Sequence, residues 1–230
     1  MRNDPTSVMI FAAGFGTRMG DLTKNTPKPL IEVAGKPLID HALGCADAFG
    51  AQRVVVNLHY KAEMIRSHLS GRDIVFSEET PDILETGGGL KKALPLLGDG
   101  PVFTMNSDAV WAGPNPLQQL AQAWDPDTMD ALLLCVPPDL AVGHKGAGDF
   151  VMGADGRLTR GPGAVYSGLQ IIKTQPVAQI PKQVFSLNEV WNVALEAGRL
   201  FGALYPGKWC DVGHPGGMTP AETLSEGRDA

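Results

Sequence analysis

The first 136 residues alternate short apolar segments with amphipathic segments, and this order restricts the possible folds more than any other feature of the chain. Short apolar runs that end in glycine-containing or polar loops are typical of buried strands, and apolar residues at helical spacing indicate helices. Alternation of the two is characteristic of a mostly parallel sheet with helices on both faces. The sequence therefore predicts an α/β protein with a Rossmann-like mixed, mostly parallel sheet flanked by helices.

The predicted elements of this part are five strands and four helices. Pro37 suits the first turn of the first helix, Gly50 its end, and Pro95 the end of the third helix. The predicted strands are residues 8–13, 53–58, 73–77, 102–105 and 130–136, and the predicted helices are residues 37–49, 61–69, 116–124 and the segment from residue 87 to about residue 95.

The pattern changes after Pro137 and Pro138. Residues 149–158 read as a hairpin that turns at residues 154–156, and residues 164–172 as another strand. Ser186 and Glu189 have the spacing of a capping box that opens a helix to Ala197. We expect one domain over residues 1–230, with a smaller β-rich portion after residue 136 and a frayed end at residues 225–230.

Charge and composition narrow the classes of function. The chain has 19 basic and 25 acidic residues, a formal net charge of −6 and no block of like charges. This balance argues against a nucleic-acid-binding or membrane-binding surface, so an anionic ligand must be held by a few well-placed groups. The 28 glycines and 18 prolines favour functional loops and argue against a helical bundle.

The cysteines and the N-terminal residues predict the compartment. Cys45, Cys135 and Cys210 are odd in number and widely spaced, which argues against a disulfide framework or a C-x-x-C site. The first residues lack the order of a signal peptide, and no apolar run approaches the roughly 18 residues of a membrane span. We expect a reduced, soluble, cytoplasmic protein.

The strongest local signal is the glycine-rich loop F-A-A-G-F-G-T-R-M-G, which follows the first predicted strand. Such a loop lets backbone N–H groups approach an anion, and Arg18 adds a planar cation suited to phosphate oxygens. A tight turn without a ligand is the alternative at this point. The dinucleotide fingerprint G-x-G-x-x-G does not match the spacing of Gly14, Gly16 and Gly20, and the Walker ending G-K-[ST] is absent.

A second signal is T-P-K-P-L, in which prolines flank Lys28. Proline on both sides stiffens the backbone and fixes the direction of the lysine side chain. A solvated lysine in a turn is the alternative.

Two aspartates that follow apolar stretches are candidate metal ligands. Asp108 ends N-S-D after the fourth predicted strand, where ligands of parallel sheets collect, and Asp211 lies in W-C-D-V-G. Carboxylates there suit Mg2+, which prefers oxygen ligands and bridges substrate phosphates. Neither aspartate has an evident local cation, which favours their pairing, although Asp108 alone could equally be a helix cap or a turn residue.

These motifs together resemble the sugar-1-phosphate nucleotidylyltransferase family, whose signature [LF]-A-A-G-x-G-[TS]-R-[ML] precedes P-K-P-[LM] by about ten residues. The likeness continues in order through V-A-G-K-P-L-I, L-E-T-G-G-G, N-S-D, G-D-F, Y-S-G and W-C-D-V-G, and so covers nearly the whole chain. L-E-T-G-G-G, G-D-F and the compact length most resemble the N-acetylmuramate-1-phosphate uridylyltransferases of cell-wall recycling. The resemblance implies the nucleotidyltransferase fold, with a nucleotide-binding part at about 1–136 and a sugar-binding part at about 137–230.

The resemblance also implies residue roles. Arg18 would grip the leaving pyrophosphate, Lys28 would stabilise the α-phosphate, and Asp108 and Asp211 would bind Mg2+. The implied nucleotide-binding residues are Ala12, Ala13, Gly14, Gly16, Thr17, Asn57, Gly87 and Gly88, with Glu78 or Glu79 beside the base, and the implied sugar-binding residues are Asp149, Ser167 and Gly168 in a turn after Tyr166. The chain departs from the family at Phe11, Ser107, Cys210 and His214, and Ser107 should be small enough to fit beside a phosphate.

The implied partners are a nucleoside triphosphate, UTP above all, and a sugar 1-phosphate, bound by a monomer or a homodimer. An acceptor phosphate is already deprotonated near neutral pH, so the in-line displacement needs no general base. Three hypotheses stay open: uridylyl transfer to N-acetylmuramate 1-phosphate; guanylyl transfer to mannose 1-phosphate, or uridylyl, thymidylyl or cytidylyl transfer to another phosphate; and an inactive sugar-nucleotide-binding regulatory subunit.

Overall fold

A computed structural model of the protein describes residues 4–226. The helices are α1 (Leu38–Phe49), α2 (Ala62–His68), α3 (Glu85–Leu97), α4 (Pro116–Ala123), α5 (Thr174–Gln179), α6 (Asn188–Glu196) and α7 (Met218–Glu226). The strands are β1 (Ser7–Phe11), β2 (Glu32–Val33), β3 (Lys36–Pro37), β4 (Arg53–Leu58), β5 (Val75–Glu78), β6 (Val102–Asn106), β7 (Ala109–Ala112), β8 (Ala131–Val136), β9 (Ala141–Val142), β10 (Phe150–Met152), β11 (Leu158–Arg160), β12 (Val165–Ile172), β13 (Leu200–Leu204) and β14 (Lys208–Asp211). Short 3-10 helices cover Thr17–Thr23, Lys28–Leu30 and Pro215–Gly217.

The centre of the protein is a seven-stranded sheet in the order β13-β8-β12-β6-β1-β4-β5. Only β12 runs antiparallel to its neighbours in this sheet, β6 and β8. Alternate residues of β1 face opposite sides: Val8 and Ile10 join the apolar cluster with α1 and α4, and Met9 joins the one with α3 and α6. The predicted mixed, mostly parallel sheet flanked by helices is confirmed.

The later part of the chain extends the same sheet and adds two smaller ones. β8, β12 and β13 continue the sheet beyond β6, so strands from before and after residue 136 share one hydrogen-bonded layer. The added sheets are the hairpin β10–β11 and the three-stranded sheet β7-β14-β9, and β2 and β3 form a further two-stranded sheet earlier in the chain. The antiparallel pairing of β14 with β7 carries residues near the end of the chain back to the end of β6.

Several element boundaries differ from the predictions. α3 continues past Pro95 to Leu97, because a proline near a helix end removes only one backbone donor. The predicted capping box is wrong: α6 begins without a side-chain cap, and Glu189 pairs with Lys182. Ser225 belongs to α7 and is helical, and the rest of the predicted frayed end beyond residue 226 lies outside the described residues.

Within residues 4–226, every helix is too short or too polar to cross a membrane.

Candidate active site

A cavity of about 280 Å³ lies beyond the carboxyl ends of three neighbouring strands, the edge at which parallel sheets bind ligands. Phe11 at the end of β1 is in register with Asn57 on β4 and with Asn106 on β6, and all three line this first cavity. The glycine-rich loop, the T-P-K-P-L segment and the start of α3 complete its wall. Motifs that lie between residues 11 and 213 of the chain therefore meet at one point.

The glycine-rich loop forms one side of the first cavity. Of the predicted nucleotide-binding residues, Ala12, Ala13, Gly14, Gly16 and Thr17 line it, as does Arg18. The backbone N–H groups of Gly14 and Gly16 have no acceptor in the described part of the chain, so they can donate to an anion.

Gly16 is required by its conformation and by a close approach of Lys28. Its φ of +66° lies in the left-handed region, and a β-carbon here would lie 2.9 Å from Lys28 Cβ and 2.8 Å from Thr23 Cγ2. The loop and the lysine segment therefore pack directly on each other.

Lys28 contacts Asp108 across 80 residues of sequence. The lysine is only 8% exposed, and its Nζ donates to the Asp108 carboxylate as a charge-assisted hydrogen bond. Asp108 has no cation close to it in sequence, but a distant segment supplies one in the fold. The two prolines hold Lys28 in a short 3-10 turn that directs its ammonium group into the cavity.

Asp211 lies beside Asp108 because β14 pairs with β7. Asp211 is in register with Ala109, and Val212 N donates to the carbonyl oxygen of Asp108 at 2.8 Å. A β-carbon at Gly213 would lie 2.6 Å from Asp211 Oδ2 and 3.1 Å from Arg18 Nη1, so this glycine separates the Asp211 carboxylate from the Arg18 guanidinium. Arg18, Lys28 and Asp108 line the first cavity, and Asp211 lies beside Asp108 without lining the cavity itself.

The groups around Asp211 shift the pKa of its carboxyl in opposite directions. Burial raises the pKa of the Asp211 carboxyl, and the negative charge of Asp108 raises it further, while Lys28, Arg18 and His214 partly offset both effects. Burial also raises the pKa of the neighbouring Cys210 thiol to about 11, so that thiol stays neutral. The Asp211 carboxylate accepts no hydrogen bond from the described residues and is available to a cation.

The pair of carboxylates fits a hard divalent cation. Within residues 4–226, no group of three or more histidine, cysteine or acidic residues is arranged to hold a metal ion. Mg2+ instead keeps several waters and is held by one or two carboxylates together with substrate phosphates. Asp108 and Asp211 offer that donor set. A cation bound between them would offset the repulsion between the two carboxylates.

Asn57 and Glu79 connect the glycine-rich loop to the segment before α3. Asn57 Oδ1 accepts from Ala12 N at 2.7 Å, and its Nδ2 donates to Glu79 Oε1 at 2.7 Å. Glu79 is fully buried, and its second oxygen accepts from Leu84 N at 2.7 Å. Both residues line the first cavity, whereas Glu78 is not among its lining residues.

The predicted role of Gly87 and Gly88 is not supported by their position. Their N–H groups both donate to the carbonyl oxygen of Phe185, at 2.9 and 3.0 Å, and neither residue lines the cavity. The two glycines let α3 pack against the segment before α6: a β-carbon on Gly88 would lie 2.1 Å from the carbonyl oxygen of Gln183. Their neighbours Glu85 and Thr86 line the cavity instead.

The packing around two helical glycines predicts opposite effects of alanine substitution on the free energy of unfolding. We expect Gly88→Ala to lower the free energy of unfolding by about 1–3 kcal/mol, because its β-carbon would meet backbone. We expect Gly44→Ala in α1 to raise it by about 0.5–1 kcal/mol, because its β-carbon would meet only the movable end of Lys36. Urea unfolding of both variants measures the difference, and equal effects would contradict the packing argument.

A second cavity, of about 460 Å³, adjoins the first. Phe11, Thr86 and Asn106 line both, so a ligand can extend from one cavity into the other. The second cavity also contains Asp149, which accepts a hydrogen bond from Tyr166 N at 2.8 Å, and the ring of Tyr166. Asp149 therefore lies in the wall of the second cavity, where it could face a ligand.

Ser167 and Gly168 differ from the prediction that they face the sugar. Both belong to strand β12 and not to a turn, and neither lines the second cavity. Ser167 is 1% exposed, and its hydroxyl donates to the carbonyl oxygen of Leu134 at 2.7 Å inside the sheet. Gly168 packs against the side chain of Asn106 and acts on the cavities only through it.

Other lining residues were not assigned by the sequence analysis. Asn106 and Thr86 lie within the quoted motifs N-S-D and L-E-T-G-G-G. The family resemblance assigns the binding roles of these motifs to neighbouring residues. Ser107 lines the first cavity, and its hydroxyl donates to the carbonyl oxygen of Phe11 at 2.7 Å. Arg160, Asn188 and Trp191 of the second cavity come from separate elements without a shared motif.

Comparison with known proteins identifies the family. Residues 8–179 match the family described as MobA-like NTP transferase domain. The chain belongs to this family. The transferase is 41% identical to the N-acetylmuramate alpha-1-phosphate uridylyltransferase of Caulobacter vibrioides, over 96% of this chain and 98% of the relative. The predicted membership of the nucleotidyltransferases is therefore confirmed, and the chain is an enzyme of that class.

The transferase is also similar to a more distant sequence relative and to a solved structure. The transferase is 30% identical to a probable mannose-1-phosphate guanylyltransferase of Arabidopsis thaliana, over 90% of this chain but only 61% of the relative. Its fold is similar to the crystal structure of HddC from Yersinia pseudotuberculosis complexed with GMP-PN, with a TM-score of 0.78, 22% identity, and coverage of 95% of this chain and 98% of that one.

Proposed function

We propose that the transferase moves a uridylyl group from UTP to N-acetylmuramate 1-phosphate and releases pyrophosphate. The observation that carries the proposal is the contact of Lys28 with Asp108 in a cavity that adjoins a second one, with Asp211 beside Asp108. The similarity of nearly the whole chain to the uridylyltransferase of Caulobacter vibrioides supports the choice of nucleotide and sugar. Such a reaction would serve cell-wall recycling.

The residues of the first cavity would bind the triphosphate and stabilise its reaction. The free N–H groups of the glycine-rich loop would hold phosphate oxygens, Arg18 would bind the leaving pyrophosphate, and Lys28 would stabilise charge that develops on the α-phosphate. Asn57 and Glu79 would hold the glycine-rich loop beside the nucleotide base. Cations placed in this way lower the repulsion between two anionic substrates, which is the main barrier to their approach.

The chemical step would be a direct displacement. A phosphate oxygen of the acceptor would attack the α-phosphorus of UTP, and the bond from that phosphorus to the bridging oxygen would break as pyrophosphate leaves. The attacking oxygen carries no proton near neutral pH, so the chain needs no general base. Mg2+, held by Asp108 and Asp211, would neutralise phosphate charge and help to align the two substrates.

The second cavity would hold the sugar. Asp149 offers acceptors for sugar hydroxyl or amide groups, and Tyr166 and Trp191 offer aromatic surface. All the residues named here belong to one chain, so a monomer or a homodimer can carry the site. The three cysteines are buried and form no disulfide within residues 4–226, and a cytoplasmic location is part of the same proposal.

A panel of substrates tests this function. Four nucleoside triphosphates are each combined with N-acetylmuramate 1-phosphate, mannose 1-phosphate and glucose 1-phosphate, and pyrophosphate and the nucleotide sugar are measured. We expect the highest kcat/KM for UTP with N-acetylmuramate 1-phosphate. Preference for GTP with mannose 1-phosphate would instead favour the second candidate, which the similarity to the Arabidopsis relative supports. Ligand binding without pyrophosphate from any pair would indicate an inactive regulatory subunit.

A further inference from the structure

The second cavity contains an arginine that the reaction described above does not use. Arg160 lies at the end of β11 and lines the second cavity but not the first. Lys28 and Asp108 line only the first. Arg160 is therefore placed away from the reacting phosphates, on the side where the body of the sugar would lie.

Arg160 is held in place without an acidic partner. Its Nη2 donates to Asn188 Oδ1 at 2.6 Å and to Asn192 Oδ1 at 3.3 Å. Its guanidinium carbon lies 4.8 Å from the ring centroid of Phe150 and 5.7 Å from that of Trp191. Neutral amides and aromatic rings orient the guanidinium but leave its charge unneutralised.

The nearby Asp149 does not neutralise the charge of Arg160. Asp149 lines the same cavity, but it makes no ion pair with Arg160 and accepts from Tyr166 N. Arg160 also makes no ion pair with any other residue between 4 and 226. The N-terminal end of α6, which begins at Asn188, adds partial positive charge at the same wall. The wall therefore favours an anion.

The proposed acceptor has the matching group. N-acetylmuramate 1-phosphate carries a lactyl carboxylate on the sugar ring in addition to its phosphate, whereas mannose, glucose and N-acetylglucosamine 1-phosphates carry only the phosphate. A planar guanidinium binds a carboxylate through two parallel hydrogen bonds. We propose that Arg160 binds the lactyl carboxylate and selects this acceptor over sugar phosphates that lack it, an inference that rests on the proposed function.

The test compares two acceptors that differ only in charge: N-acetylmuramate 1-phosphate and its lactamide, in which a neutral amide replaces the carboxylate. We expect the wild type to prefer the acid in kcat/KM by about 10- to 100-fold, the range of a hydrogen bond to a charged group. In Arg160→Met the ratio of acid to amide falls towards one, and a higher KM for the acid accounts for the change.

Arg157→Met is the matched control. Arg157 also lies by the β10–β11 hairpin, with its guanidinium over the ring of Phe201, but it pairs with Asp155 and is absent from the cavity walls. It should keep the wild-type ratio.

Three results would overturn the inference. One is a wild type without preference for the acid, and another is an Arg160→Met variant that keeps the preference. The third is an Arg160→Met variant that loses rate equally with both acceptors, which indicates a structural role. A wild type that uses neither acceptor would contradict the proposed function itself, and the inference with it.

Discussion

Replacing Lys28 by methionine is expected to lower kcat by about 100-fold or more, the scale of losing one contact made in the transition state. Methionine keeps the length of the side chain but removes the charge beside the α-phosphate. Since Lys28 is nearly buried and contacts Asp108, the variant is also expected to lose some stability. Initial rates of pyrophosphate release at saturating substrates, together with thermal unfolding, separate the two effects.

Lys173→Met is the matched control for this variant. Lys173 also pairs with an aspartate, Asp130, at 3.0 Å, but the pair is absent from the walls of both cavities. We expect it to change stability and not kcat. A Lys28→Met protein that folds and turns over at the wild-type rate would contradict the role of Lys28.

Replacing Asp108 or Asp211 by asparagine is expected to lower turnover by a similar factor of about 100 or more. The two carboxylates should act as one unit, so the double variant should lose little more than either single variant. Pyrophosphate release by the three variants measures this. Losses that multiply in the double variant would indicate that the two aspartates act separately.

The two variants should differ in stability. Asp211 has no hydrogen-bond donor in the described part of the chain, and both burial and Asp108 raise the pKa of its carboxyl. We therefore expect Asp211→Asn not to lower the melting temperature of the metal-free protein. Asp108→Asn should lower it, because the substitution leaves the buried Lys28 without its partner. Thermal unfolding in chelator checks both expectations.

The motifs of the first cavity could be predicted because each is continuous in sequence. The glycine-rich loop and T-P-K-P-L place Arg18 and Lys28 through local backbone geometry, so their residue types and spacing are informative. The sheet was predictable for the same reason, since periodicity is a local property. The contact between Lys28 and Asp108 could not be read in this way, because it depends on how β6 packs beside β1.

Residues that the motifs imply for the site but that do not line the cavities show where such patterns stop being informative. A glycine such as Gly88 can free an N–H group for a ligand or let a neighbouring segment approach its helix, and the sequence L-E-T-G-G-G is the same in both cases. Ser167 was placed by motif alone, but the register of β12, which shifts between Tyr166 and Gln170, turns its hydroxyl into the sheet. Arg160 and Asn188 come together only because the β10–β11 hairpin packs beside α6.

The affinity of Mn2+ for the complex of the protein with UTP, measured by electron paramagnetic resonance, tests most directly whether the two distant aspartates hold the cation together. We expect Asp108→Asn and Asp211→Asn each to weaken binding at least about tenfold. Asp130→Asn, whose carboxylate pairs with Lys173 and Arg199 instead, should bind Mn2+ as the wild type does. Equal Mn2+ affinity in all four proteins would contradict the account.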